Sequence, residues 1–269
     1  MELKMTVLNE DCIMNILGHI KSCWKYDYPT GKTLENAFFE GLKPFYSDAK
    51  SLGSSFTIVD AGKEQDGFDL KGCKVLGHLG RSVKSSNHEK NIFIKQQVPN
   101  FGSVTVRIPQ SVITQVRRPK VDLQKFSGNA ETILQEQIKE YQNFAFNSTQ
   151  KDGYKNLYSI VLLYGIDEKK GLKSIFLTVE EFSLPEIVKY NIGTKENNTP
   201  CSYQAININN EVVFLLSSFN QGSSNFYKRF QTTNGILITW PMEEKEQIIF
   251  TKKDLEKTCA ITEFFKSNS

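Results

Sequence analysis

Residues 66–74 read DGFDLKGCK, and the interpretation of this stretch decides the fold. In a strand, residues two apart share a face. Asp69 and Lys71 therefore point one way while Phe68 and Leu70 point into a core. The ordinary meaning of such a pattern is an ion pair on a solvated face. The sharper meaning is an acid and a lysine held rigidly for chemistry. Which applies depends on what the neighbouring segments bring to the same place.

Residues 56–60, FTIVD, predict a strand ending at Asp60, and the polar run AGKEQD over 61–66 predicts a turn into a second strand over 67–75. If the two strands pair, Asp60 reaches the same end of the sheet as Asp69. Upstream, a helix is expected over 33–43 with Leu34, Phe38, Leu42 and Phe45 on one face and Pro44 ending it. Glu35 lies beside that stripe. Three carboxylates and one lysine would then converge. Carboxylate oxygens at a sheet end suit Mg2+, which keeps several waters and also takes phosphate oxygens. A metal so held makes water more acidic and stabilises charge on a phosphodiester under attack. Lys71 can orient or deprotonate that water, or offset phosphate charge. Nearby carboxylates favour its charged form and burial its neutral form, so both roles stay open.

The rest of the chain supplies a frame. A packing helix is expected over 8–24, capped by Asn9, and a longer amphipathic helix over 130–143. Strands are expected at 92–96 and 104–108, with a fully buried one at 157–164, LYSIVLLY. Beyond residue 165, strands fit 174–179, 204–208, 211–216 and 235–240, with loops at 192–200 and 217–230. The expected fold class is α/β (α+β): a mixed sheet flanked by helices over 1–165, and a strand-rich part over 166–269 that is either a separate lobe or continuous with the core.

Composition narrows the chemistry. At 269 residues and 39% hydrophobic content the chain can bury a sizeable core. Its apolar runs are too short to cross a bilayer, and the N-terminus shows no signal-peptide pattern, so a cytoplasmic protein without membrane contact is expected. Five cysteines are scattered without CxxC spacing, and the three histidines form no HExxH. Chemistry therefore falls to carboxylates and lysines.

Charge distribution points to a partner. The total is only +3, but residues 71–120 hold ten Lys or Arg against the single acid Glu89, so this segment carries +9 and the remainder −6. A solvated face usually mixes signs, and fifty residues with one acid suit a polyanion, nucleic acid first. The GKT at 31–33 does not indicate an NTPase. A phosphate-binding loop needs a glycine where this chain has Tyr26, and a strand before it.

Two segments carry a resemblance. PTGKTLENAFF (29–39) and DGFDLKG (66–72), in this order, resemble the G-x-x-L-E helix and the G-hydrophobic-(D/E)-L-K-(G/T) strand of the MutH-like branch of PD-(D/E)xK nucleases. That branch includes the mismatch-repair nicking enzyme MutH and several type II restriction endonucleases. The likeness covers roughly residues 28–75, with YSIVLLYG (158–165) as a later core strand. It implies a restriction-endonuclease-like core. It also implies Glu35 as the helix carboxylate, Asp69 and Lys71 as the D/E-x-K pair, and an upstream aspartate as the first Mg2+ ligand. Asp60 is favoured for that ligand, because a strand end fixes a side chain better than a turn does; Asp66 is the alternative.

The implied function is a Mg2+-dependent type II restriction endonuclease that hydrolyses double-stranded DNA to 5′-phosphate and 3′-hydroxyl ends, paired with a cognate DNA methyltransferase. Lys74, Arg81, Lys84 and Lys95 follow the catalytic strand and suit phosphate contacts, as do Arg117 and Arg118 unless they pair with acids of the next helix. The segment 223–231, SSNFYKRFQ, predicts a loop whose Asn225, Tyr227, Lys228 and Arg229 are types that reach base edges. A surface loop of mixed polarity is an equal reading. The chain acts as a monomer or a homodimer. The competing functions are a MutH-like repair nickase, a DNA-binding protein that keeps the fold without catalysis, and an RNA-directed nuclease.

Overall fold

In the computed structural model, the described residues are 7–24, 31–52, 58–75, 105–107, 130–167, 171–194, 198, 200–219, 223–229, 234–243, 250–256 and 258–260. Helix α1 (Glu10–Cys23) starts at Asn9, whose side chain accepts from the Cys12 amide at 2.7 Å, and Glu10 and Asp11 sit in its positive first turn. It buries Cys12, Ile13, Ile16, Leu17 and Ile20. Helix α2 (Gly31–Leu42) buries Leu34, Ala37, Phe38 and Leu42. The two cross closely at Gly41, where a Cβ would lie 2.4 Å from the Ile16 Cα.

Both helices cover one face of a seven-stranded sheet in the order β1 (Lys50–Ser51), β2 (Ala61–Lys63), β3 (Asp66–Val75), β5 (Asn156–Asp167), β6 (Leu172–Glu181), β11 (Asn234–Pro241), β12 (Thr258–Ala260). Only β3 and β5 pair in parallel; every other pair is antiparallel. Phe68, Leu70, Ile160, Leu162, Ile175, Leu177, Ile236 and Ile238 form this apolar face, and Leu255 of the short helix α4 (Lys252–Leu255) joins them. Each such side chain contributes roughly 1.5–3 kcal/mol on burial.

The opposite face meets α3 (Ala130–Lys151) and a second, antiparallel sheet of five strands. Its order is β4 (Thr105–Arg107), β10 (Ser223–Arg229), β9 (Val212–Phe219), β8 (Pro200–Ile206), β7 (Lys189–Thr194). Tyr203, Ala205, Phe214, Leu216 and Phe226 pack there with Leu134, Ile138 and Tyr141 of α3 and with Leu157. Among the described residues no helix is long and apolar enough to cross a membrane.

Several expectations need correction. Ile58, Val59 and Asp60 lie outside any strand, and the strand that pairs with β3 is β2, within the run 61–66 expected as a turn. The turn shrinks to Glu64 and Gln65, with Glu64 at φ 51°. Helix α3 runs to Lys151 rather than 143; Gly153 at φ 87° ends it, with Tyr154 N donating to Thr149 O and Gly153 N to Gln150 O, a Schellman closure. The expected loops at 192–200 and 217–230 contain strand residues of β7 to β10. A division at 165 falls inside β5, and β6, β11 and β12 complete the sheet that holds β3. Phe45 is exposed rather than part of the α2 stripe.

Candidate active site

Asp69 and Lys71 lie on the α3 side of the sheet, opposite Phe68 and Leu70. They are not a solvated pair. Asp69 is 5% exposed, and the Lys71 ammonium, itself largely covered, is closed onto its carboxylate.

Asp60 precedes β2 and is fixed from three sides. Its amide donates to Phe68 O at 2.8 Å, its carbonyl accepts from Leu52 N at 2.9 Å, and its Oδ2 accepts from Leu70 N at 2.8 Å. The carboxylate thus takes over the pairing of β3 where the β2 ladder ends. That places it beside Lys71 and Asp69.

The local chain enforces this arrangement. Gly62 and Gly67 are direct partners across β2 and β3. Their missing Cβ atoms leave room for the Tyr154 ring, which a Cβ on Gly62 would meet at 2.1 Å. Tyr154 reaches this slot because Gly153 turns the chain back at the end of α3. A Cβ on Gly67, the glycine ahead of Asp69, would lie 3.1 Å from the Val59 methyls and 3.3 Å from the Tyr154 ring, so the tight packing is most demanding at Gly62.

Electrostatics tie four groups together. Burial is the main cause that pushes the Asp60 carboxyl up to about 7; the Lys71 charge and the Leu70 amide pull it down, while Asp69 and Glu35 push it up. Burial pulls the Lys71 amine down, but Asp69, Asp60 and Glu35 outweigh it and hold the amine above its ordinary value. These carboxylates favour the charged form of the amine, the form suited to the role of cation.

Asp66 stands apart. Its carboxylate accepts from Asn156 Nδ2 at 2.8 Å and faces Lys63 Nζ at 3.4 Å, so it braces the hairpin. Of the two candidate first acids, the structure brings Asp60 to Asp69. Glu35 on α2 adds its charge to the field at both Asp60 and Lys71. Among the described residues no three His, Cys, Asp or Glu side chains form a ready cage for a metal ion. Mg2+ does not require one, since it binds through one or two carboxylates, water and substrate phosphates. The Asp60 carboxyl, held beside Asp69, is an oxygen donor of the kind such an ion takes.

The DNA-contact candidates fare differently. Arg81, Lys84, Lys95, Arg117 and Arg118 lie outside the described residues, as do His78, His88 and the strand expected at 92–96. For Lys74, Asn225, Tyr227 and Arg229 the description covers the backbone alone. The segment 223–231 is not a loop: 223–229 form β10, paired with β9 and β4. Lys228 is buried on that strand, with Nζ 2.9 Å from Glu180 Oε1. This ammonium is not displayed to a ligand in solvent.

Sequence reasoning missed three residues near Asp69. Ser159 pairs with Asp69 in register and Glu180 with Ser159, so the three form one row across β3, β5 and β6. Tyr141, on the buried face of α3, lies close to Asp69 and Glu180. Burial first, and then their charges, hold its hydroxyl well above its ordinary value. The available signal was the alternation Phe176, Thr178, Glu180, which puts Glu180 on an inward face. The chain matches no protein-family model, no curated protein and no solved structure.

Proposed function

We propose that the chain is a Mg2+-dependent endonuclease acting on double-stranded DNA, of the type II restriction kind within the PD-(D/E)xK nucleases. The observation that carries this reading is the closed Asp69–Lys71 pair with the Asp60 carboxylate fixed beside it by the Leu70 amide, in a field to which the Glu35 charge adds. A second observation supports DNA as substrate. Residues 105–107, within the basic run, pair with 227–229 of β10, and Arg107 stands opposite Tyr227.

In this reading Asp60 and Asp69 hold Mg2+, which supplies Lewis acidity toward water and the phosphodiester oxygens. Lys71, kept protonated by the three carboxylates, donates to a phosphoryl oxygen and opposes the charge that builds there. Glu35 contributes part of the field that keeps Lys71 charged. The Leu70 amide holds the Asp60 carboxylate at a fixed angle, so the site is organised before substrate arrives. Basic residues after β3 bind phosphates and set register, leaving 5′-phosphate and 3′-hydroxyl ends on cleavage. A cognate methyltransferase protecting host DNA belongs to the same proposal.

One observation favours a second reading, a DNA-binding protein without catalysis: Asp69 and Lys71 already neutralise one another in a closed pair. A digest of plasmid and phage DNA with Mg2+, with EDTA, and with Lys71→Ala beside the wild type separates the two. Discrete Mg2+-dependent fragments that vanish in the variant are expected. Salt-sensitive binding with no cleavage in any divalent metal would favour the second reading. Nicked circles without linear product would indicate a repair nickase.

A further inference from the structure

Among the described side chains, Tyr203, Ala205, Phe214, Leu216 and Phe226 line the inner face of the five-stranded sheet, and Lys228 stands with them. Ala205, Phe214 and Lys228 form one cross-strand row, beside the row Tyr203, Leu216, Phe226. Lys228 thus occupies a core site. Its ammonium meets Glu180 Oε1 of the other sheet at 2.9 Å, with 8% and 5% of the two side chains exposed, and lies 5.2 Å from the Phe182 ring centre. Glu180 closes the row that begins with Asp69 and passes through Ser159.

Aromatic rings enclose this junction. Tyr141 lies 5.6 Å from Phe182 and 6.0 Å from Phe226, centre to centre, and Phe226 stacks on Phe214 at 5.5 Å. The buried pair is thus sealed between α3, β6 and β10. Such a pair is a poor way to gain stability, because apolar residues of similar volume often hold two layers together equally well. Its distinctive property is directional: it fixes one strand against another at a single point.

We propose that Glu180 and Lys228 are positioning residues, which lock β10 of the second sheet to the row carrying Asp69 so that the candidate DNA-reading strand and the cleavage site move as one body. The inference rests on the endonuclease reading for its catalytic consequence and on geometry alone for its mechanical one. Neither residue touches the reacting atoms. Tyr141, whose hydroxyl stays protonated between the charges of Asp69 and Glu180, fills the space beside the lock.

Two experiments test this. In the wild type, amide hydrogen exchange should show residues 66–75 and 223–229 opening together, with protection that agrees within about threefold. Faster opening of 223–229 by tenfold or more would overturn the lock. The double variant Glu180→Gln with Lys228→Met removes both charges of the pair together. Its melting temperature should stay near that of the wild type, with kcat for DNA cleavage about tenfold lower, KM within about threefold, and faster exchange confined to 66–75 and 223–229. A double variant that cleaves and exchanges like the wild type would reduce the pair to ordinary packing. If the wild type itself cleaves nothing, the endonuclease reading fails, while the exchange measurement still decides the lock. That measurement needs no variant to fold.

Discussion

Asp60→Asn should make the protein more stable and abolish cleavage. The wild-type carboxyl, pushed from 3.8 up to about 7, keeps its proton in the folded chain where the unfolded chain has lost it. A raised carboxyl pKa stabilises the fold fully only below the unfolded value. That contribution is lost as pH climbs from about 4 to about 7, and the full cost of burying the anion is present above it. Relative to a neutral side chain, the folded wild type then carries a cost of about 1.5 kcal/mol at pH 5 and about 4 kcal/mol at pH 8, at 1.36 kcal/mol per unit. Asparagine keeps an oxygen to accept from Leu70 N, so the 2.8 Å bond survives. The gap between variant and wild type should therefore widen by about 2–3 kcal/mol from pH 5 to pH 8, or roughly 4–5 °C in Tm for a chain of this length. Thermal and urea unfolding at both pH values, in low salt, measure this directly. A gap independent of pH, or a variant less stable than the wild type at pH 8, would refute the argument that Asp60 is a buried and negatively crowded carboxyl.

Further expectations concern the same region. Mg2+ in the millimolar range should raise the wild-type Tm, following RT ln(1 + [L]/Kd), and leave Asp60→Asn unmoved in differential scanning fluorimetry; an equal rise in both would remove Asp60 from the metal site. Lys71→Ala should reduce cleavage by at least about 10²-fold. It should also destabilise the fold by about 3 kcal/mol at pH 7 by leaving buried Asp69 unpaired, and calorimetry showing no stability loss would mean that Asp69 is better solvated than its 5% exposure implies. Gly62→Ala should cost about 2–4 kcal/mol, because its Cβ would meet Tyr154 at 2.1 Å. Much of that loss should return in the double variant with Tyr154→Ala, whereas full additivity of the two changes in urea unfolding would exclude the clash.

The helical period in residues 8–24 and 130–143 and the apolar run at 157–164 correspond to α1, α3 and β5, because repeated apolar positions select one buried face whatever the partner is. The hairpin was harder to read. AGKEQD is polar enough for a turn, yet Ala61, Gly62 and Lys63 are all buried, since Tyr154 and the β3 edge cover them. Residues 223–229 look like a loop because they mix Ser, Asn, Lys and Arg with two aromatics. They are a strand because β9 and β4 complete their hydrogen bonds and Glu180 neutralises Lys228.

Alternation along residues 66–74 determined by itself that Asp69 and Lys71 share a face, since the side-chain period of a strand is purely local. Only the tertiary structure decided that this face is buried, that Asp60 rather than Asp66 joins it, and that the surrounding carboxylates favour the charged form of Lys71. It alone put Ser159 and Glu180 in the row with Asp69. These outcomes sum over groups from two to more than a hundred residues apart in the chain, from Asp69 and Lys71 to Asp69 and Glu180. Burial and charge act through space, and the distances that set them exist only once the chain has folded.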